Sequence, residues 1–82
     1  MAKLYPHFDL AEKIGTFEVE VPAGSVQQVI TTAAQRYGLR FDDVVKGVVL
    51  LVNGVSINHL AGLKTHVKDK DEVRMVFFST GG

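Results

Sequence analysis

The stretch SVQQVITTAAQRYG, Ser25 to Gly38, does most to limit what this chain can fold into. Val26, Val29, Ile30, Ala33, Ala34 and Tyr37 recur at the spacing of a single helical face, one apolar stripe with polar residues around it. Ser25 followed by Gln28 fits a capping box at its start, and Gly38 is a natural stop at its end. A helix with one apolar stripe must bury it against another layer. The other apolar runs are short, so the layer has to be a sheet. With 82 residues, of which 46% are hydrophobic, there is room for one domain around one core.

The strands follow from alternation and turn signals. Thr16 to Val21 alternates, with Phe17, Val19 and Val21 expected inward and Glu18 and Glu20 outward. Val48 to Val52 is a continuous apolar run, as for a strand paired on both sides and covered on one face. Asn53-Gly54 then signals a tight type I′ turn, with Val55 to Ile57 returning. Asp69-Lys70-Asp71 reads as a polar turn and Glu72 to Phe78 as the last strand. Lys3 to Phe8 reads as the first strand despite Pro6, with Leu4 and Phe8 on one face and Tyr5 and His7 on the other. Asp9 to Gly15 reads as a connecting loop, Phe41 to Lys46 as an irregular turn, and His59 to Lys64 as loop or a single turn. The expected fold class is α+β: a mixed sheet of about five strands, the last free to pair with the first, and one main helix across one face. Phe77 and Phe78 are neighbours in a strand, so they face opposite ways and one points away from the helix.

Composition excludes several functions. Nine basic residues balance nine acidic ones and form no basic run, so a nucleic-acid partner is not expected. The longest apolar run, Val48 to Val52, is too short to span a membrane. Cysteine is absent, which removes disulfides, iron–sulfur clusters and thiol catalysis. MAKLYPHF lacks a signal-peptide pattern, so a cytoplasmic location is expected by elimination. His7, His59 and His66 have no metal-ligand spacing, and Asp42-Asp43 and Asp69-Asp71-Glu72 read as solvated turns, so no metal site is expected. Gly24-Ser25 is read as a helix cap and not as an anion site.

One feature is left over. The last strand runs into MVFFSTGG, and glycine gives a terminal strand nothing to pack. Two terminal glycines occur by chance about once in 200 chains. The order of elements, VLLVNG in the third strand, KDKDEV before the last, and the Gly-Gly end resemble the small sulfur-carrier proteins of the ubiquitin-like β-grasp fold. Within that group the chain most resembles the small subunit of molybdopterin synthase, over essentially its whole length. It departs from that pattern in having Phe77-Phe78 where a Pro-Pro pair is common, and Lys70 where glycine usually precedes Asp-Glu-Val.

The resemblance implies one domain, residues 1–82, with a flexible tail from Ser79 to Gly82. The Gly82 carboxylate would be adenylated and converted to a thiocarboxylate, with Ser79, Thr80 and Gly81 as the stem that enters a partner's active site. Four extended residues reach about 13–14 Å. Phe78, Phe77 and Val76, with Tyr5 and His7, would form the partner surface. The implied partners are an ATP-dependent activating enzyme of the ubiquitin-activating type, the large subunit of molybdopterin synthase and a sulfur donor protein. The chain itself would bind no cofactor; ATP would belong to the activating enzyme. The same tail would also suit a protein modifier joined to lysines through Gly82, or another pathway's carrier.

Overall fold

The computed structural model describes residues 1–77; Phe78 and the tail, residues 79–82, lie outside the described residues. A five-stranded mixed sheet forms one layer, in the order β2-β1-β7-β4-β5. Its strands are β1 (Ala2–Tyr5), β2 (Val19–Val21), β4 (Val48–Val52), β5 (Val55–Ser56) and β7 (Glu72–Phe77). The first and last strands do pair, in parallel, with Leu4 opposite Val73 and Tyr5 opposite Arg74. On its other side β7 runs antiparallel to β4 from Val52↔Val73 to Val48↔Phe77. Among the described residues no helix is long and apolar enough to cross a membrane.

Helix α2 (Val26–Arg36) lies across one face. Its stripe of Val26, Val29, Ile30, Ala33 and Ala34 is buried in one core with Leu4, Val21, Leu50, Val73 and Met75 from the sheet. The capping box forms as expected. Ser25 Oγ accepts from the Gln28 backbone N–H at 3.1 Å, and Gln28 Oε1 accepts from the Ser25 N–H at 2.9 Å. Gly24 makes room for that returning side chain, since a Cβ there would stand 2.6 Å from Gln28 Oε1.

Several expectations are corrected. The first strand ends at Tyr5, and Phe8–Ile14 forms a helix, α1, where a loop was expected. Pro6 stops the ladder, His7 caps the helix, and Leu10, Ala11 and Ile14 turn one face to the core. Phe17 is not inward. The second strand starts only at Val19, because the Thr16 hydroxyl accepts from the Glu18 N–H and donates to the Glu18 C=O, closing a local turn. Phe41–Val45 is a short helix, α3, and not an irregular turn. The segment after β5 makes two 3₁₀ turns, Ile57–His59 and Gly62–Lys64. A second, two-stranded sheet pairs β3 (Gly24–Ser25) with β6 (His66–Val67), elements too short to carry a periodic signal.

The Asn53-Gly54 turn holds positive φ at both residues, 50° and 87°, and also clips the sheet to the β6–β7 turn. Asn53 Nδ2 donates to Asp71 Oδ1 at 3.1 Å, and Asn53 Oδ1 accepts from the Glu72 N–H at 3.0 Å. Asp71 Oδ2 accepts from the Lys68 N–H at 2.9 Å. The Lys68 N–H, and then the Asn53 amide, hold the Asp71 carboxyl below its ordinary value. The Met1 amino group, 2.7 Å from Asp69, does the same there. Both folded values lie below the unfolded ones, so this stability is fully present above about pH 4 and is lost as pH falls through the folded values. Thermal melts should therefore hold steady from neutrality down to about pH 5 and drop below about pH 4. Asp71→Asn should lower the melting temperature at pH 7 and flatten the acid limb. An acid limb as steep as wild type in Asp71→Asn would rule the clip out as its source.

Candidate functional site

The site is the end of the sheet where β7 points toward the tail. Because β1 and β7 are parallel, their C-terminal ends lie side by side, and β7 runs on past Tyr5, whose partner is Arg74. Its last residue, Phe77, therefore arrives beside the turn between β1 and α1. There the His7 and Phe77 rings meet with centroids 4.0 Å apart and planes tilted by 36°. His7 is fixed from behind. Its Nδ1 accepts from the Leu10 N–H at 3.2 Å as the N-cap of α1, which puts the ring proton of the neutral imidazole on Nε2.

The sheet separates the expected partner residues into two groups. Alternation puts Phe77 on the helix side with Val73 and Met75, together with His7. Val76 lies on the opposite, open side with Arg74 and Tyr5, next to Val49. Phe77 is 48% exposed and Val76 46%, so neither closes the core. Phe77 is apolar and inward by pattern, but it lies beyond the layer that α2 covers.

On the open face the Arg74 guanidinium sits 4.3 Å over the Tyr5 ring and also meets Glu72 at 3.4 Å. Partial burial, then the Glu18 and Glu72 carboxylates, raise the Tyr5 hydroxyl above its ordinary value. It is therefore a neutral, hydrogen-bonding phenol throughout the physiological range.

Two residues absent from the sequence-based set stand beside this strand end. Phe8 opens α1 directly after His7, and Phe17 lies in the turn that follows the helix. Each is 61% exposed, and their rings pair with centroids 6.3 Å apart and planes tilted by 44°. Their placement depends on α1, whose one sequence signal was the Leu10/Ile14 spacing ended by Gly15. Behind them, between α1 and α3, His7, Asp9, Lys13, Leu39 and Asp43 line a shallow groove of mixed charge. Among the described residues no group of three His, Asp or Glu converges as a metal would require. Every buried polar side-chain atom among them has a hydrogen-bond partner. Chemically, this end of the body offers exposed apolar and aromatic surface on both sides of a strand that leads into residues 78–82. Phe78, Ser79, Thr80, Gly81 and Gly82 are outside the described residues.

Residues 9–82 match the ThiS family. No curated protein sequence matches the chain. Solved structures that share its fold over nearly the full length include the following three. The solution structure of small archaeal modifier protein 1 from Methanosarcina acetivorans is 25% identical with a TM-score of 0.80, covering 99% of this chain and 95% of that one. A chain of the BexX/CysO complex from Amycolatopsis orientalis is 19% identical with a TM-score of 0.81, and the match covers 100% of both. Small archaeal modifier protein 1 from Haloferax volcanii is 18% identical with a TM-score of 0.70, covering 99% of this chain and 98% of that one. With the family match spanning all but the first eight residues, and with this sheet order and helix placement, the chain belongs to the ThiS family of ubiquitin-like β-grasp sulfur carriers and modifiers.

Proposed function

We propose that the chain is a sulfur carrier whose Gly82 carboxylate is activated by a partner enzyme and then donates sulfur in molybdopterin biosynthesis, for a molybdenum or tungsten cofactor. The observation that supports this most is the strand end itself. Phe77, at the end of a central strand, is half exposed beside His7 and Val76, and the sequence runs from it through Ser79 and Thr80 into Gly81-Gly82.

The chemistry accounts for the tail. A carboxylate is a poor acyl donor because its leaving group would be oxide. Attack of a Gly82 carboxylate oxygen on the α-phosphorus of ATP releases pyrophosphate and leaves an acyl-adenylate. The terminal sulfur of a persulfide on the donor protein then attacks the acyl carbon and AMP departs, leaving an acyl disulfide. A second thiol attacks the donor-side sulfur, the S–S bond breaks, the thiocarboxylate leaves with the electron pair, and the two thiol sulfurs end as a disulfide. Glycine at positions 81 and 82 lets the backbone thread a narrow channel where a Cβ would collide. In this reading the chain is the non-catalytic small subunit of molybdopterin synthase. It works with that enzyme's large subunit and with an activating enzyme of the ubiquitin-activating type, which supplies the ATP site.

A second reading shares the first step. The likeness to a protein called a small archaeal modifier favours attack on the same adenylate by a lysine amine, giving an isopeptide bond. Intact mass of the chain after incubation with ATP, its host's activating enzyme and a sulfur donor separates the two. Exchange of one oxygen for sulfur at Gly82 is the expected result. Mass gained by joining a lysine of another protein would favour the modifier. No change, with an activating enzyme competent on another carrier, would overturn both.

A further inference from the structure

We propose that the exposed Phe8–Phe17 pair is an anchor for the enzyme that adenylates Gly82, so that docking takes in the α1 side of the strand end as well as the open sheet face. The inference rests on the functional reading above, but only on the activation step that both versions of it share.

The reach of the tail limits where the activating enzyme can sit. Residues 78–82 span at most about 17 Å. Their carboxylate must lie beside a nucleotide in a site closed to water, so the mouth of that site has to come within this distance of Phe77. Surface beside Phe77 is then covered whenever the tail is engaged. Phe77 touches His7 with ring centroids 4.0 Å apart, Phe8 follows His7 in the chain, and the Phe17 ring centroid is 6.3 Å from that of Phe8. Two ring pairs, His7–Phe77 and Phe8–Phe17, are thus joined by the chain step from His7 to Phe8 at the start of α1.

The outer two rings do little for the fold. At 61% exposure each, neither belongs to the buried core, and the turn around Phe17 is closed by Thr16 and not by packing of the ring. A single exposed ring needs no explanation, but two paired exposed rings that begin one residue after His7, itself against Phe77, make a patch suited to burial. Aromatic side chains have few rotamers to lose and much area to bury, which is why they often dominate interfaces. The partner should present an apolar, uncharged lip to this pair.

The test is ATP–pyrophosphate exchange by the host's activating enzyme at varied concentrations of the chain, comparing wild type with Phe8→Ser/Phe17→Ser. The expected result is a KM for the chain raised at least about tenfold with kcat unchanged, because the tail chemistry is intact. The thermal melt should stay close to wild type. Leu60→Ser/Leu63→Ser, exposed apolar residues of the segment between β5 and β6, should leave KM unchanged. On the wild-type chain, adding the activating enzyme should also shift or broaden the amide resonances of Phe8 and Phe17, a readout independent of any variant's folding. An unchanged KM in the Phe variant, or an equal rise in the Leu60/Leu63 variant, overturns the anchor while leaving the carrier reading in place. Loss of self-association in the Phe variant at unchanged KM would assign the pair to a contact between copies and overturn it too. Absence of exchange with the wild-type chain would remove the carrier reading, and the anchor with it.

Discussion

Removing Gly81 and Gly82 should abolish activation while leaving the fold untouched. The truncated chain would end at Thr80, about 7 Å short of the reacting position, with a Cβ where the channel expects none. A misplacement of about 1 Å can already cost a hundredfold in rate, so exchange of pyrophosphate into ATP should fall below detection. The body should not register the change, because the buried core of the described residues runs from Ala2 to Met75 and is complete without the tail's two glycines. Thermal melts of the full and truncated chains should coincide. Persistent exchange or sulfur transfer without the two glycines would end the carrier reading, whereas a large loss of stability would mean that the tail packs on the body.

How far all this was legible depends on whether a segment's partners are local. The capping box at Ser25 and Gln28 and the stripe of α2 are satisfied within one helix, so period and cap chemistry are enough to place them. Asn53-Gly54 is readable for the same reason, since positive φ is a property of the two residues themselves. Its second use, clipping Asp71 and Glu72, needs a partner far along the chain and leaves no local trace. The TFEVEV alternation misleads because it extends through Thr16 and Phe17, where a hydroxyl-closed turn replaces the ladder. Seven residues of α1 are too few for a firm period, and the histidine that caps them is not among the favoured N-caps. This short helix decides the candidate site. It brings His7 onto Phe77 and exposes Phe8 beside Phe17, so the expected cluster of Tyr5, His7, Val76 and Phe77 divides between two faces.

The second large effect should appear within β7 itself, where Val73 and Val76 are both valines of one strand and have opposite roles. Val73 is fully buried, with Leu4 beside it on β1 and Val52 on β4. An aspartate there places a carboxylate among apolar side chains with no partner to accept from, a cost of several kcal/mol. A domain of this size has about 4–12 kcal/mol in total. Val73→Asp should therefore show no cooperative melt at neutral pH. Val73→Thr, nearly the same shape with one buried hydroxyl, should fold but lose about 1–3 kcal/mol. Val76→Asp puts the same carboxylate on the open face at a half-exposed position. It should keep the melting temperature within about 5 °C of wild type and weaken docking, seen as a raised KM for the chain in pyrophosphate exchange. If Val73→Asp folded normally, the pairing of β7 between β1 and β4 would be wrong. If Val76→Asp unfolded instead, the open face would be part of the core, and the division of the strand end into a buried layer and a docking surface would fail.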